Sequence, residues 1–238
     1  MSGRKNKQKV MELLSGEDVE AIKAQLSSFE VKDVVHGLFS GICSSDEKIH
    51  WNAVACMGPA VARLAEHDLE EARIVIRRML WSLNDESGGI GWGAPEAMAE
   101  IMVHHQALAE EYIHMLISYM REDGEELFQD GNYLEHEVLQ RGLLWGVTRL
   151  AETKPDMLLQ RGVVKDLIPY LCSTDDGVRS LAARGLGLLG ADEAMEKLQP
   201  LQDDNSMVRL YIRGKVHSIR VCDLATEAIK SIMSQGGH

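Results

Sequence analysis

The fold of this chain is decided by the stretch Asp175–Gly190, which reads DDGVRSLAARGLGLLG. It opens on two acidic residues, after which small and apolar side chains recur at helical spacing. A carboxylate in such a position accepts hydrogen bonds from the free N–H groups that open a helix. The stretch therefore predicts a capped turn followed by a helix whose small residues let neighbouring helices approach closely.

The same pattern recurs elsewhere in the chain. Three other stretches match the frame of Val178–Gly187, and they are Ile49–Gly58, Ile90–Ala99 and Val221–Ile229. Small residues recur in this frame at Ala53, Ala94, Ala182 and Ala225, and apolar residues recur at Met57, Met98, Leu186 and Ile229. We expect the small residues to lie where helices meet, and the apolar residues to fill the layer between repeats.

Acidic turns mark the repeat along the chain. The marker residues are Asp46, Asp85, Asp123, Asp175 and Asp203, which are separated by 39, 38, 52 and 28 residues. Self-similarity at about 40 residues is typical of helical solenoids of the HEAT or armadillo type. The alternation of β-branched residues that indicates strands is almost absent, so the pattern favours an all-α fold.

These repeats resemble the HEAT-like repeats of the family that includes the phycobilisome-lyase-type repeats. The resemblance is best over Asp175–Gly190 and weaker over residues 31–234. It implies an all-α, right-handed α-α superhelix, a HEAT-like solenoid whose second helices line a concave face. We expect capping helices within residues 1–30, then about five helix pairs in residues 31–238 as a single continuous solenoid domain.

The charge balance limits the kinds of partner. The chain has 37 acidic and 25 basic residues and a formal net charge of −12. Nucleic-acid binding relies on lysine and arginine to neutralise phosphates, so this balance argues against it. The one dense basic cluster, formed by Arg4, Lys5, Lys7 and Lys9, is interpreted as a solvated terminus.

The cysteines and the lengths of the hydrophobic runs indicate the cellular compartment of the protein. The cysteines are far apart and form no Cys-x-x-Cys pair; they are Cys43, Cys56, Cys172 and Cys222. This spacing is typical of reduced, buried cysteines rather than of a zinc or redox motif. No run approaches the ~20 apolar residues that a membrane helix needs. We expect a cytoplasmic protein that makes no use of a membrane.

Three segments interrupt the repeat, and each falls between the first and second helix of its unit. They are Asn84–Glu96, residues 123–133 and residues 207–220. The last segment alternates apolar and polar residues around Arg213–Gly214, which is compatible with a small β-hairpin near the C-terminus. Equivalent connections in a solenoid line up along one edge, where insertions often build the binding face. We therefore expect recognition at this edge and on the adjoining concave face.

The glycine-rich segment admits three interpretations. The pattern Gly89-x-Gly91-x-Gly93 invites comparison with a phosphate loop, but it follows a helix and lacks Gly-Lys-Ser/Thr. As a structural turn, its glycines permit positive φ, and Pro95 starts the next helix. As a recognition loop, it exposes backbone groups while its acidic residues select a cationic partner.

Two tryptophans occupy equivalent repeat positions. Trp51 and Trp92 are 41 residues apart, and the fourth repeat carries Ser180 at the same place. This equivalence predicts two indoles near one end of the concave face, able to hold a peptide with aromatic, Lys or Arg groups. The alternative is that they pack under the inserted loops. We expect Trp145, which aligns with core methionines, and Trp81, in a first helix, to be packed.

Histidines and carboxylates define an alternative class, an enzyme or small-ligand protein built around a metal. The residues for it are Glu96, Glu100, His104, Glu135 and His136. A di-iron bundle needs two Glu-x-x-His pairs plus two further glutamates, and the pattern at Glu111 and His114 alone does not supply them. HEAT-type deoxyhypusine hydroxylases carry several His-Glu dipeptides, whereas this chain has one. Solvated helix surfaces explain these residues more simply, and no nucleophile motif of the Gly-x-Ser-x-Gly kind occurs.

The sequence thus favours a non-enzymatic protein-binding scaffold or adaptor, with no cofactor and with a protein or peptide carrying cationic or aromatic groups as its partner. The alternative is a metal- or small-ligand-binding enzyme with carboxylate and histidine residues on the concave face. The candidate binding residues are Trp51, Asp85, Glu86, Trp92, Glu96, Asn132, Tyr133, Tyr211, Arg213 and His217. No catalytic or metal-ligating residue is predicted under the favoured interpretation.

Overall fold

A computed structural model describes residues 3–84, 91–122 and 132–235. Most of these residues are helical. The helices are α1 (Gly3–Leu14), α2 (Val19–Leu26), α3 (Val31–Ile42), α4 (Glu47–His67), α5 (Leu69–Leu83), α6 (Ala94–His104), α7 (Gln106–Ser118), α8 (Glu137–Thr153), α9 (Pro155–Leu159), α10 (Val163–Leu167), α11 (Asp176–Leu188), α12 (Met195–Leu198) and α13 (Val221–Gln235). Short 3₁₀ segments occur at Ile168–Cys172, Asp192–Ala194 and Gln199–Asp203.

The expected hairpin is present near the C-terminus. Strands β1 (Met207–Ile212) and β2 (Lys215–Arg220) pair in antiparallel register, with Ile212 opposite Lys215. The two-residue turn has positive φ at Arg213 (51°) and Gly214 (84°), as the tight hairpin turns that match strand twist require. The prediction of an all-α repeat fold with a small β-hairpin is confirmed. Within the described ranges, no helix is long and apolar enough to span a membrane.

The chain divides into two compact units, Met1–Ile113 and His114–His238. In the first unit α3 packs against α4, and α4 packs against α6, while α1 lies on α3 and α2 on α4. In the second unit α11 packs against both α8 and α13. The packing of one second helix on the next is what a stack of helix pairs requires. The proposed division into a cap and one solenoid domain stays a prediction.

Small residues allow these second helices to approach, as the sequence predicted. A Cβ atom on Gly187 of α11 would lie 2.5 Å from the Cα of Ala228 in α13. A Cβ atom on Gly58 of α4 would lie 2.6 Å from the carbonyl oxygen of Glu100 in α6. The predicted core residues are buried except Ile229, which is half-buried because Ala228 and Ile232 face the core instead.

The acidic markers cap helices where the structure describes them before a helix. Asp46 accepts from the N–H groups of Lys48 and Ile49 at the start of α4, and Asp175 accepts from Val178 at the start of α11. Asp203 instead ends a 3₁₀ segment, because the hairpin and not a helix follows it. The remaining markers, Asp85 and Asp123, lie outside the described residues.

The two tryptophans expected to be packed behave differently. Trp145 is buried in α8, and its Nε1–H donates to the carbonyl oxygen of Tyr211 at 2.8 Å. Trp81 is 81% exposed, so the prediction that it is packed was wrong. The buried face of α5 is already filled by Val75, Ile76, Met79 and Leu80, and Trp81 lies on the opposite side of that helix.

Candidate functional site

A cleft of about 660 Å³ opens in the second unit, beside the connection between α7 and α8. The end of α7, the start of α8 and the 3₁₀ segment Ile168–Cys172 bring its walls together. Its lining residues are Met120, Arg121, Glu122, Tyr133, Glu135, Glu137, Gln140, Lys165, Asp166, Pro169, Tyr170, Cys172, Ser173 and Thr174. This volume lies within the range of about 300–1,000 Å³ found for ligand sites.

Two tyrosines form the aromatic part of the cleft. The Tyr133 and Tyr170 rings stack at 6.5 Å between centroids with an interplanar angle of 23°. Tyr133 is 39% exposed, and its hydroxyl accepts a hydrogen bond from Nε2 of Gln140 at 3.1 Å. The same Gln140 amide donates to the carbonyl oxygen of Leu134 at 2.7 Å, so it fixes the chain that leads into α8. Tyr133 is therefore an exposed aromatic held in one orientation.

Tyr170 supplies a polar group at the cleft wall. Its ring is buried, and its hydroxyl oxygen forms no hydrogen bond with any residue that the structure describes. Burial raises the pKa of the Tyr170 phenol, and the nearby Tyr133 hydroxyl adds to this increase. The group therefore stays protonated and is able to donate a hydrogen bond.

The charges of the cleft fall into two sets. Arg121 forms a bidentate pair with Asp166, with N–O distances of 2.7 to 3.1 Å, so these two charges neutralise each other. The second set has no ion-pair partner in the described part of the chain and consists of Glu122, Glu135, Glu137 and Lys165. Three carboxylates against one ammonium leave a negative field in the cleft, which attracts cations.

Asn132 and Tyr133, both predicted from the second insertion, lie at this cleft or next to it. The Asn132 side chain donates to the hydroxyl of Ser118 at 3.1 Å, and its backbone N–H donates to the Ser118 carbonyl oxygen at 3.1 Å. Asn132 thus ties the insertion to the end of α7, whereas Tyr133 faces the cleft. Sequence reasoning missed Tyr170, because no local pattern links it to Tyr133, which is 37 residues away.

The hairpin residues lie at another place on the second unit. Tyr211 is buried, and its ring packs against Trp145 at 6.3 Å between centroids, so this residue anchors the hairpin rather than presenting a contact surface. Arg213 forms the turn, and His217 is on the exposed strand β2. The prediction of a binding role for these three residues is untested.

In the first unit the glycine-rich segment ends in a firmly held turn. Gly93 has a φ of 76° and precedes α6, and Pro95 lies in the first turn of that helix, as the structural interpretation expects. Trp92 is 40% exposed, and its carbonyl oxygen accepts from the Cys43 thiol at 3.8 Å. Trp51 is half-buried, with its ring edge-on to that of His50 at 4.9 Å. Residues 85–90, including Asp85 and Glu86, lie outside the described residues.

Glu96 is a buried acid, not an exposed contact residue. It is 7% exposed, and its Oε1 lies 3.9 Å from Nε2 of His50, while its Oε2 forms no hydrogen bond with a described residue. His50 donates from Nδ1 to the carbonyl oxygen of Ile42 at 2.7 Å, which leaves Nε2 to face the carboxyl group. Burial raises the pKa of Glu96, and the neighbouring His50 only partly opposes it.

Several histidines and carboxylates that were considered for a metal site have structural partners. His104 donates from Nδ1 to the carbonyl oxygen of Glu100 at 2.8 Å, and Glu111 pairs with Arg73. His136 caps α8 by accepting from the N–H of Val138 at 3.3 Å. In the described ranges, no three His, Cys, Asp or Glu side chains form a group that could hold a metal ion.

Comparisons with known proteins support the fold and leave the family open. No family model matches the chain, and no curated protein matches it. An engineered protein of known structure is similar, with a TM-score of 0.55 and 16% identity over 96% of this chain and 98% of that one. A designed armadillo repeat protein in complex with the peptide (KR)4 has a TM-score of 0.53 and 16% identity, over 95% and 91% of the two chains.

A third similar structure belongs to the computationally designed armadillo repeat proteins for modular peptide recognition. Its TM-score is 0.51 at 17% identity, with 94% of this chain and 91% of that chain covered. At such low identity these likenesses concern the fold alone. They show that the chain has the fold of helical repeat proteins.

Proposed function

We propose that this protein is a non-enzymatic, peptide-binding repeat scaffold, and that the cleft of the second unit binds a segment carrying lysine or arginine. One observation carries the proposal: carboxylates that form no ion pair with a described residue lie beside an exposed, oriented tyrosine in a concave site. A cation gains from both, since carboxylates attract it and an aromatic face binds it by a cation–π contact.

The comparisons support the proposal only through the fold. A designed armadillo repeat protein with a similar fold was solved in complex with a peptide of alternating lysine and arginine. Helical repeats expose long surfaces, which suit extended peptides. The finer assignments made from the sequence belong to the proposal as well: HEAT-like repeats of the phycobilisome-lyase type, a cytoplasmic location, and a recognition edge that includes Trp51 and Trp92.

The test is fluorescence anisotropy with a labelled octapeptide of alternating lysine and arginine, set against an octapeptide of alternating glutamate and glutamine. The cleft variant Glu135→Gln/Glu137→Gln should weaken binding of the basic peptide about tenfold, because each lost charge contact is worth up to ~1 kcal/mol. The matched control Glu193→Gln/Glu196→Gln removes the same charge from exposed positions outside the cleft.

The control decides between a site and general attraction to an acidic protein. Equal weakening by the two double variants would show that only the net charge of −12 draws the peptide, and the cleft proposal would fail. The substitution Tyr133→Ala gives a second measure, because loss of the aromatic face should weaken binding without any change of charge. Measurements at about 0.15 M salt keep long-range attraction screened beyond ~8 Å.

A further inference from the structure

The outer edge of strand β2 has unused backbone hydrogen-bonding groups. In a hairpin with a two-residue turn, the residues that flank the turn form a hydrogen-bonded pair, and the pairs then alternate along the strands. Ile212 and Lys215 flank the turn, so Val216 and Ser218 point their N–H and C=O groups away from β1. These groups form no hydrogen bond with any described residue.

The edge is also accessible and rigid. The sheet has two strands, and every residue of β2 is exposed or half-buried, so nothing in the described structure covers this edge. The other strand holds the hairpin in place, since Val208, Leu210 and Tyr211 of β1 are buried and Trp145 donates to the Tyr211 carbonyl oxygen. An accessible edge on a fixed strand is a template for pairing with another strand.

The side chains of the edge determine which strand is accepted. The segment from Arg213 to Arg220 contains Arg213, Lys215 and Arg220 and no acidic residue, on a chain whose net charge is −12. Arg220 pairs with Asp223 at 2.9 Å, which leaves Arg213 and Lys215 as exposed cations that form no ion pair with a described residue. Like charges on adjacent strands repel and opposite charges attract. Pairing of β2 with a second β2 is therefore disfavoured, and pairing with an acidic strand is favoured.

We infer that the outer edge of β2 is a second binding surface, which takes an extended acidic segment of a partner protein by strand addition. The backbone groups of Val216 and Ser218 would supply the hydrogen bonds, and Lys215 with Arg213 would supply the preference for acidic side chains. This inference does not depend on the cleft, because the two surfaces select peptides of opposite charge.

The probe is a labelled heptapeptide of alternating glutamate and threonine, and its binding to the full chain is followed by fluorescence anisotropy. We expect the acidic peptide to bind at this edge. The same peptide with lysine in place of glutamate should bind there more weakly. Lys215→Glu should weaken the acidic peptide about tenfold, whereas Lys230→Glu, the same change at an exposed position of α13, should have little effect. Equal loss in the two variants, or no binding to the wild-type chain, would overturn the inference.

Two measurements separate strand pairing from electrostatic attraction. The acidic heptapeptide N-methylated at every residue keeps its charges but loses its N–H donors, so it should bind at least tenfold more weakly. Ser218→Pro removes an outward N–H while leaving the bonds to β1 in place, and it should have the same effect. Undiminished binding of the methylated peptide would show attraction without strand addition. The cleft variant Glu135→Gln/Glu137→Gln should bind the acidic peptide as well as the wild-type chain does.

Discussion

Replacing Asp175 with alanine tests how the second unit is held together, because this carboxylate serves two elements at once. It caps α11 by accepting from the N–H of Val178 at 2.9 Å. It also accepts from Nε of Arg141 in α8 at 2.8 Å, with a second contact from Nη2 of the same residue. One side chain thus starts a helix and joins that helix to its neighbour.

The size of the effect follows from these contacts. A helix cap of this kind contributes about 1 kcal/mol. A hydrogen bond to a charged group contributes about 1.5–3 kcal/mol, and we take the lower part of that range since the Arg141 side chain is half-exposed. Asp175→Ala should therefore lower the free energy of unfolding by about 2–3 kcal/mol. Asp175→Asn keeps a capping oxygen and should cost about 1–2 kcal/mol.

Urea unfolding followed by far-ultraviolet circular dichroism measures the loss, and hydrogen exchange of the α11 amides locates it in the second unit. Asp46→Ala is the comparison, since Asp46 caps α4 but has no arginine partner among its hydrogen bonds. A double-mutant cycle with Arg141→Met should give a coupling of about 1–2 kcal/mol. The reasoning would be refuted if Asp175→Ala lowered the free energy of unfolding no more than Asp46→Ala does and if the coupling energy between Asp175 and Arg141 were near zero.

The same contact predicts a dependence on pH. Burial alone raises the pKa of Asp175, but the Arg141 side chain and the Val178 N–H favour the ionised form more, so the pKa lies below its ordinary 3.8. A carboxyl group with a lowered pKa stabilises the fold above its unfolded pKa and loses that contribution as pH falls through the folded value. The difference between wild type and Asp175→Asn should therefore be constant at neutral pH and shrink below about pH 4.

Two further substitutions test the helix packing and the buried acid. Gly187→Ala should destabilise the fold by about 1–3 kcal/mol in urea unfolding, because its Cβ would meet the backbone of Ala228, whereas Gly185→Ala, two residues away, should change stability by less than about 1 kcal/mol. Glu96→Gln should stabilise the protein at pH 7 in thermal unfolding. Burial raises the pKa of Glu96, although His50 partly opposes this increase. The wild-type carboxyl group therefore stabilises the fold fully below its ordinary pKa of 4.5 and loses that contribution as pH rises. The stability gained by Glu96→Gln at pH 7 should vanish below about pH 4.5.

The repeat could be predicted because its signals are local. Asp175 sits directly before the helix that it caps, and the small residues of α11 recur within a few turns of one another. Such patterns need no knowledge of distant segments. The hairpin could be predicted for the same reason, since its alternation and its turn, Arg213–Gly214, are contiguous.

The cleft could not be predicted, because its parts come together only through packing. Tyr133 and Tyr170 are 37 residues apart, and Tyr170 lies on a 3₁₀ segment at a place where a repeat of helix pairs requires a first helix. Pro155, Gly162 and Pro169 break that first helix into short pieces, which positions Tyr170 beside the insertion. Glu96 shows the same limit, since no local signal indicates that this acid is buried next to His50.

The acidic residues of the second unit fall into two groups, those that form an ion pair with an arginine of the preceding second helix and those that do not. Arg141 of α8 pairs with Asp175, and Arg179 of α11 pairs with Asp204 at 2.7 Å, so in the second unit an arginine of one repeat holds the acidic turn of the next. These carboxylates are committed to structure: hydrogen bonding by Ser206 lowers the pKa of Asp204 most, and Arg179 lowers it further. Acids that neither cap a helix nor pair with an arginine are the ones left to attract a ligand. In the described part of the second unit, the cleft gathers three of these: Glu122, Glu135 and Glu137.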